Sequence, residues 1–285
     1  MQKIWVCGAR GQIGQAVNDV VDKLEFEMLD TDVDDLDVTD TDEVLRFGEM
    51  NRPDIIINCS GMTDISSCEE NPSQAFKVNA LGARNLAIVA AKMQAKMVQL
   101  STDDVFDGKS TEPYTEFDIT NPGTVYGKSK LAGENYVKEF TTKHFIVRST
   151  WVYGKGQNFI NGFLKKVDAG EQLSIASDQF GSPPSANELA RFLLHLVHTS
   201  EYGTYHATNK GVCSRYAFAQ EILKMTGKTA SMQPVPTVMS DFSKVRPAYA
   251  VLDNFIMSMV PIYDFPDWQD SLREYLEERG LYHAE

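Results

Sequence analysis

The chain predicts an α/β protein: a doubly wound parallel sheet followed by a smaller C-terminal lobe. Three observations predict it. Strand-like and helical patterns alternate through the first 150 residues, which is the signature of parallel strands joined by right-handed helical crossovers. Ile55-Ile56-Ile57 is apolar at every position rather than every second one, as a strand buried on both faces must be. A glycine loop at residues 8–14 joins the first strand candidate directly to the first helical pattern.

Each element has its own signal. Lys3–Cys7 is a short apolar run with β-branched members, and Ile13, Val17, Val20, Val21 and Leu24 then recur at helical spacing. Phe26–Leu29 is the second strand candidate, ending at Asp30. Asp40 with Glu43 three residues on marks a helix N-terminus, with the helix running to about Glu49 before Pro53 ends it. Ile55–Ile57 is the third strand, Ser73–Gln94 a long Ala- and Leu-rich helix, and Met97–Leu100 the fourth strand. A loop carrying Pro113 and Pro122 precedes a helix over Tyr126–Phe140 and a fifth strand at His144–Val147.

Beyond residue 150 the alternation loosens. Helices are expected at 159–169, 187–198, 215–225 and 267–279 and a strand at 203–207, with prolines scattered between or beside them. The expected division is a sheet domain over 1–153, with 185–208 packing back onto it, and a substrate-binding lobe made from 154–184 and 209–285.

Composition narrows the function classes. Lys and Arg total 27 against 40 Asp and Glu, a net charge of −13, and 42% of the 285 residues are apolar. Such a chain has ample core but no general means of neutralising nucleic-acid phosphates or an anionic membrane. No apolar run reaches the roughly 18–20 residues a spanning helix needs. The start of the chain lacks a signal-peptide core, so the expected compartment is cytoplasmic. Cys7, Cys59, Cys68 and Cys213 form no CxxC pair and read as reduced thiols. His195 and His198 lie one helical turn apart, but no carboxylate or cysteine cluster joins them, so no metal site is expected.

Two stretches carry chemistry. A strand feeding Gly8-x-x-Gly11-x-x-Gly14 into a helix brings backbone N–H groups and a helix N-terminus up to a pyrophosphate, the arrangement of a Rossmann-like dinucleotide site. Arg10, Gln12 and Ile13 belong to the same loop. Asp30, 16 residues past Gly14, is positioned to bind the adenosine ribose. The acids after it, Asp32, Asp34 and Asp35, favour NADH over NADPH, with Arg10 the group that could answer a 2′-phosphate. The second stretch is Tyr126-x-x-x-Lys130, one turn apart on a helix face. A phenol with a pKa near 10 becomes a useful proton donor at neutral pH only beside a cation that stabilises its phenolate. Thr102, at the carboxyl end of the fourth strand, falls where ligands bind in open α/β sheets.

The ordered set Gly8/Gly11/Gly14, Asn58-Cys59-Ser60, Val78-Asn79-Ala80-Leu81-Gly82, Ser101-Thr102-Asp103 and Tyr126-Gly127-Lys128-Ser129-Lys130 resembles the extended short-chain dehydrogenase/reductases. Val105-Phe106-Asp107-Gly108, Lys130-Leu131-Ala132-Gly133-Glu134, Arg148-Ser149-Thr150-Trp151-Val152-Tyr153-Gly154, Asp178-Gln179-Phe180-Gly181-Ser182-Pro183 and Arg246-Pro247 narrow the resemblance to the dTDP-4-dehydrorhamnose reductase family, over nearly the whole chain. The resemblance implies NADH- or NADPH-dependent reduction of a 4-keto group on a dTDP-6-deoxy sugar, for cell-surface polysaccharide. It implies catalytic roles for Thr102, Tyr126 and Lys130. It adds Cys59, Ser60, Gly61 and Asn79 to the cofactor site, and Asp103, Val105, Phe106, Trp151 and Arg246 to the sugar-nucleotide site, with Arg246 on the diphosphate. A homodimer is compatible with it.

The chain departs from the family pattern at two places. Asp104 stands where the family has a tyrosine, and Gly61-Met62-Thr63-Asp64-Ile65-Ser66 replaces a segment with a tyrosine in the second position. Met62 and Asp104 are therefore expected to border the pocket and to bear on which keto-sugar fits. Two other readings compete: a reductase or epimerase for a different nucleotide sugar, and a non-catalytic nucleotide-binding subunit of the same fold.

Overall fold

The structure, a computed structural model, describes residues 1–239 and 249–283. Its first half follows the sequence pattern closely: β1 (Gln2–Cys7), α1 (Gln12–Val20), β2 (Phe26–Thr31), α2 (Thr41–Asn51) and β3 (Ile55–Asn58). Then come α3 (Ile65–Glu70), α4 (Pro72–Phe76), a π-helical turn (Lys77–Gly82), α5 (Ala83–Met93), β4 (Lys96–Thr102), α6 (Val125–Phe140) and β5 (His144–Ser149). The Asp40 carboxylate caps α2 by accepting from the backbone N–H groups of Asp42 and Glu43, both at 3.0 Å. Glu43 reaches back to the backbone N–H of Asp37 rather than to the cap residue itself.

Strand alternation sorts the apolar side chains into two layers. Ile4, Val6, Ile55 and Ile57 pack with α1 and with Leu189, Phe192 and Leu193 on one side of the sheet. Trp5, Cys7 and Ile56 pack with Val44, Leu86 and Val89 on the other. Both faces being apolar, the sheet needs a helical layer on each, and it has one.

The second half comprises α7 (Phe159–Asp168), β6 (Leu173–Ala176), β7 (Phe180–Gly181), α8 (Ala186–His198), β8 (Gly203–His206), β9 (Cys213–Ser214), α9 (Arg215–Met225), β10 (Met232–Val235), α10 (Phe255–Met259) and α11 (Trp268–Glu278). The six-stranded sheet runs β2-β1-β3-β4-β5-β8, every neighbouring pair parallel. The direction of winding reverses between β1 and β3, and such a reversal opens a crevice beyond the strands' carboxyl ends. Helix α8 and strand β8 join the sheet's body, while α7, β6, α9 and α11 share a separate core that includes Phe163, Ile175, Phe218 and Leu272. The pairs β6–β10 and β7–β9 are two small sheets of that lobe. Pro234 sits inside β10, in a two-stranded sheet where a missing N–H is tolerated.

Several elements differ from the sequence reading. Strands β2 and β5 each extend two residues further, to Thr31 and Ser149; the single long helix expected over 73–94 is interrupted by the π-helical turn; and α3, α10 and the short strands β6, β7, β9 and β10 were not expected. All four cysteines are free thiols. Among the described residues no helix is long and apolar enough to cross a membrane.

Candidate active site

The glycine loop closes over the crevice because two of its members cannot carry side chains. Gly8 has φ of 77°, and a Cβ there would come within 2.7 Å of the Ser60 nitrogen. A Cβ on Gly14 would lie 2.4 Å from the Gly8 carbonyl oxygen and 2.6 Å from Ala9 Cα. Backbone atoms cannot yield to such contacts, so helix α1 approaches β1 closely only with glycine at both positions. The backbone N–H groups of Gly8 and Ala9 donate to the Thr31 carbonyl at 2.8 and 3.1 Å, tying the loop to the end of β2.

Two adjoining cavities result. One, of about 530 Å³, is lined by Gly8, Arg10, Gly11, Thr31 and Asp32 and by Cys59, Ser60, Gly61 and Met62. The other, of about 270 Å³, contains Gln12, Ile13, Thr102, Asp103, Tyr126, Lys130 and Trp151. Cys59 and Ser60 line both. A cleft running across the N-terminus of α1, with backbone approach that only glycine at positions 8 and 14 permits, fits a dinucleotide.

Asp30 is a correction to the sequence reading. It is exposed and lines neither cavity; Asp32 stands at the cleft instead, its carboxylate accepting from the Arg10 backbone N–H at 2.8 Å. The cause is the longer β2, which moves the end of the strand two residues on. Gly14 is buried in the helix–strand contact, away from the lining.

Helix α6 delivers the phenol and the ammonium. Thr124 caps it, Oγ1 accepting from the Gly127 N–H at 2.9 Å, and the first helical N–H, that of Val125, donates to Glu69 at 2.7 Å. Tyr126 is 8% and Lys130 5% exposed, on one face of the helix. Burial lowers the Lys130 pKa to about 8, a shift partly offset by the Glu134 carboxylate and by Cys59. Burial pushes the Cys59 thiol up to about 12, so it is a packing residue rather than a nucleophile.

Thr102 lies at the end of β4, donating from Oγ1 to Asp103 at 2.8 Å and accepting from the Asp104 N–H at 3.2 Å. Asp103 is in turn held by the Thr150 hydroxyl at 2.5 Å. The Thr102 hydroxyl therefore has its proton turned toward Asp103, and must rotate to donate to a substrate oxygen. Trp151 lines the same cavity with its backbone in the left-handed region, φ 48°.

Val105 and Phe106 are the second correction. They are 0% and 1% exposed, in a core cluster with Tyr114 and Leu252, and line neither cavity. The Phe106 ring stacks on Tyr114 at 4.3 Å with the Arg148 guanidinium over it, the ordinary destination of an apolar side chain. Asp104 is also buried outside both linings, whereas Met62 lines the larger cavity and packs in the cluster that contains Tyr126. Arg246 lies outside the described residues.

Two residues do more, or other, than the sequence reading assigned them: the resemblance put Asn79 at the cofactor site, and Glu134 stood only within the Lys130–Glu134 stretch. Asn79, on the π-helical turn, donates from Nδ2 to the Met62 carbonyl and to Ser129 Oγ, both at 2.9 Å, and accepts from the Met62 N–H at 2.8 Å. It does not line either cavity; it ties the β3 loop to α6, between Tyr126 and Lys130. Glu134, one turn beyond Lys130, is fully buried and holds Arg148 through two bonds of 2.9 and 2.8 Å and Ser101 through one of 2.5 Å.

Comparison with known proteins identifies the family. The family model described as the RmlD substrate binding domain matches residues 1–280. The spore coat polysaccharide biosynthesis protein SpsK of Bacillus subtilis is 35% identical over 98% of this chain and 99% of its own. Among solved structures, a dTDP-4-dehydrorhamnose reductase from Clostridium acetobutylicum is 40% identical, covers 98% of this chain and 100% of its own, and superposes with a TM-score of 0.95. That of Bacillus anthracis, solved with NADP, is 35% identical over the same shares, also with a TM-score of 0.95. The chain thus belongs to the RmlD family of dTDP-4-dehydrorhamnose reductases, and it is an NAD(P)H-dependent oxidoreductase of the short-chain dehydrogenase/reductase type.

Proposed function

We propose that the chain reduces the 4-keto group of a dTDP-6-deoxy sugar, converting dTDP-4-dehydro-L-rhamnose to dTDP-L-rhamnose for cell-surface polysaccharide. The observation that carries this reading is the burial of Tyr126 and Lys130 with Thr102 in one small cavity that adjoins the dinucleotide cleft. A bound nicotinamide supplies the hydride for such a reduction. Tyr126 donates the phenolic proton to the C4 oxygen as negative charge develops there, and the Lys130 ammonium stabilises the phenolate left behind. A positioned donor of this kind contributes about 10²–10⁴-fold. Lys130 keeps further N–H donors for the nicotinamide ribose, with Cys59, Ser60 and Gly61 forming the wall behind it. Thr102, once turned from Asp103, hydrogen-bonds the same substrate oxygen, and Trp151 walls the sugar. The low dielectric around the buried Thr102, Tyr126 and Lys130 strengthens each of these interactions.

NADH is the preferred cofactor in this reading. The Arg10 guanidinium is bound by Asp34 at 2.7 Å and Asp35 at 2.8 Å, and Asp32 stands at the rim. A 2′-phosphate would have to compete with those carboxylates for the one loop arginine.

The test is NADH and NADPH oxidation with the 4-keto sugar nucleotide generated in situ, for wild type and Tyr126→Phe. The expected result is turnover by wild type and a loss of about 10²-fold or more in the variant. Tight NADH binding without turnover by wild type would favour the non-catalytic subunit, and turnover only with another keto-sugar would reassign the substrate.

A further inference from the structure

The indole of Trp151 is covered on both faces. A Cβ on Gly181 would lie 3.0 Å from the ring's Cδ2, 3.1 Å from Cε2 and 3.2 Å from Cε3, so strand β7 is pressed against the plane of the ring. Gly181 has no positive φ. It is the close approach of β7 to the indole, and not a turn, that requires glycine here. The Arg215 guanidinium carbon lies 3.5 Å from the ring centre. On the Gly181 face it would be nearer to that Cβ than the ring is, yet the three nearest atoms all belong to the indole. The guanidinium therefore covers the opposite face. One piece of local structure supplies both plates: β7 pairs antiparallel with β9, Gly181 opposite Cys213, and the backbone N–H of Arg215 donates to the Gln179 carbonyl at 3.0 Å.

A ring held between two plates has no freedom to tilt or slide toward either. With both faces covered, the indole meets the small cavity that holds Thr102, Tyr126 and Lys130 along an edge. Its backbone, at φ 48°, is a conformation that a bulky residue keeps only where the surroundings enforce it. Nonbonded carbons settle at about 3.5–4.0 Å, so a methyl group on residue 181 would drive the indole toward Arg215 by about half an ångström. Displacements on that scale matter at a reacting site, where 1 Å of misplacement costs about 10²-fold. Resting on the reading of the substrate as a sugar nucleotide with its keto carbon at Tyr126, we propose that Gly181 is a positioning residue of the sugar site: by carrying no side chain, it lets β7 and Arg215 fix the indole edge against which the sugar ring is seated.

The test is calorimetric titration of dTDP-L-rhamnose, dTDP and NADH into wild type, Gly181→Ala, Trp151→Ala and the double variant, with turnover of the 4-keto sugar nucleotide measured for wild type. Fluorine spectra of protein carrying 5-fluorotryptophan are recorded alongside; the chain has three tryptophans, and the Trp151 line is the one lost in Trp151→Ala. Gly181→Ala is expected to weaken dTDP-L-rhamnose about tenfold, to leave dTDP and NADH within about twofold, and to move the Trp151 line alone. In the Trp151→Ala background the same substitution should change dTDP-L-rhamnose affinity by less than about twofold, because no ring remains to displace. Absence of dTDP-L-rhamnose binding by wild type, or equal affinity in wild type and Gly181→Ala, overturns the assignment. So does a loss that persists in the Trp151→Ala background, or one that extends to dTDP and NADH with all three lines moved; either marks Gly181 as a residue of the lobe's fold. Should Gly181→Ala fail to fold, Arg215→Ala removes the opposite plate without crowding. It should move the Trp151 line and weaken dTDP-L-rhamnose more than dTDP, and no change in either overturns the assignment. A selective dTDP-L-rhamnose deficit in Gly181→Ala with no keto-sugar reduction by wild type would keep this assignment and end the reductase reading; reduction without the deficit would do the reverse.

Discussion

In the proposed mechanism Lys130 links proton transfer to stability through one burial. A lysine in water holds its proton to pH values above 10, but desolvation brings this one to about 8. The phenolate needs the ammonium, so kcat should fall as pH rises through about 8, on a limb that a profile from pH 6 to 10 would reveal; activity level to pH 10 would refute the role. Stability runs the other way. Below pH 8 the amine is protonated in both folded and unfolded chains, and the folded state carries the cost of the buried charge. Between about 8 and 10.5 only the unfolded chain stays protonated, so the cost is lifted as pH rises. Lys130→Met, of similar length and without charge, should therefore abolish turnover and raise the thermal midpoint at pH 7, by an amount on the order of 1–3 kcal/mol of stability. The sequence revealed this pair because i and i+4 spacing needs no tertiary information. It put Asp30 rather than Asp32 at the cleft because two residues of strand length separate them, and nothing in Phe26–Thr31 marks where the ladder with β1 ends.

At the scale of elements, the legible parts were those whose environment repeats along the chain. Buried parallel strands are apolar on both faces, as β1 and β3 are, and helices such as α2 announce their caps. The π-helical turn at Lys77–Gly82 has no such signature: one extra residue in a turn rotates the next helical segment without altering composition, and the apolar pattern still reads as one helix. Asn79 sits in that turn, 2% exposed, and its amide joins Met62 to Ser129 across the cleft floor. Asn79→Ala leaves the Met62 backbone groups and the Ser129 hydroxyl short of partners. It should cost about 2–3 kcal/mol in urea denaturation and raise the cofactor KM several-fold, because Gly61 and Met62 line the cofactor compartment. A variant that loses stability with an unchanged cofactor KM would show that the amide supports the fold alone. The small pairs β6–β10 and β7–β9 were hidden for a different reason. Strands of two to four residues, one containing Pro234, are fixed by the lobe's packing rather than by local preference.

The whole molecule carries a field that its own ligands must overcome. A net charge of −13 repels a dinucleotide and a sugar nucleotide at long range, while the groups that bind them act at contact distance. Added salt separates the two, since exposed charges beyond a Debye length of about 10 Å at 0.1 M are screened and buried contacts are much less so. Raising ionic strength from low values toward about 0.1–0.2 M should therefore lower the KM for NADH. The effect should be larger for NADPH, whose 2′-phosphate adds charge and faces Asp32 together with the Asp34 and Asp35 that occupy Arg10. Replacing Asp34 and Asp35 together by Asn releases Arg10 from its carboxylates and should shift the ratio of kcat/KM toward NADPH by about tenfold, on the scale of a charge-assisted contact. A KM for NADPH that rises with salt in the wild type would mean that Arg10 already holds the 2′-phosphate against its two aspartates, and the preference for NADH would then be wrong.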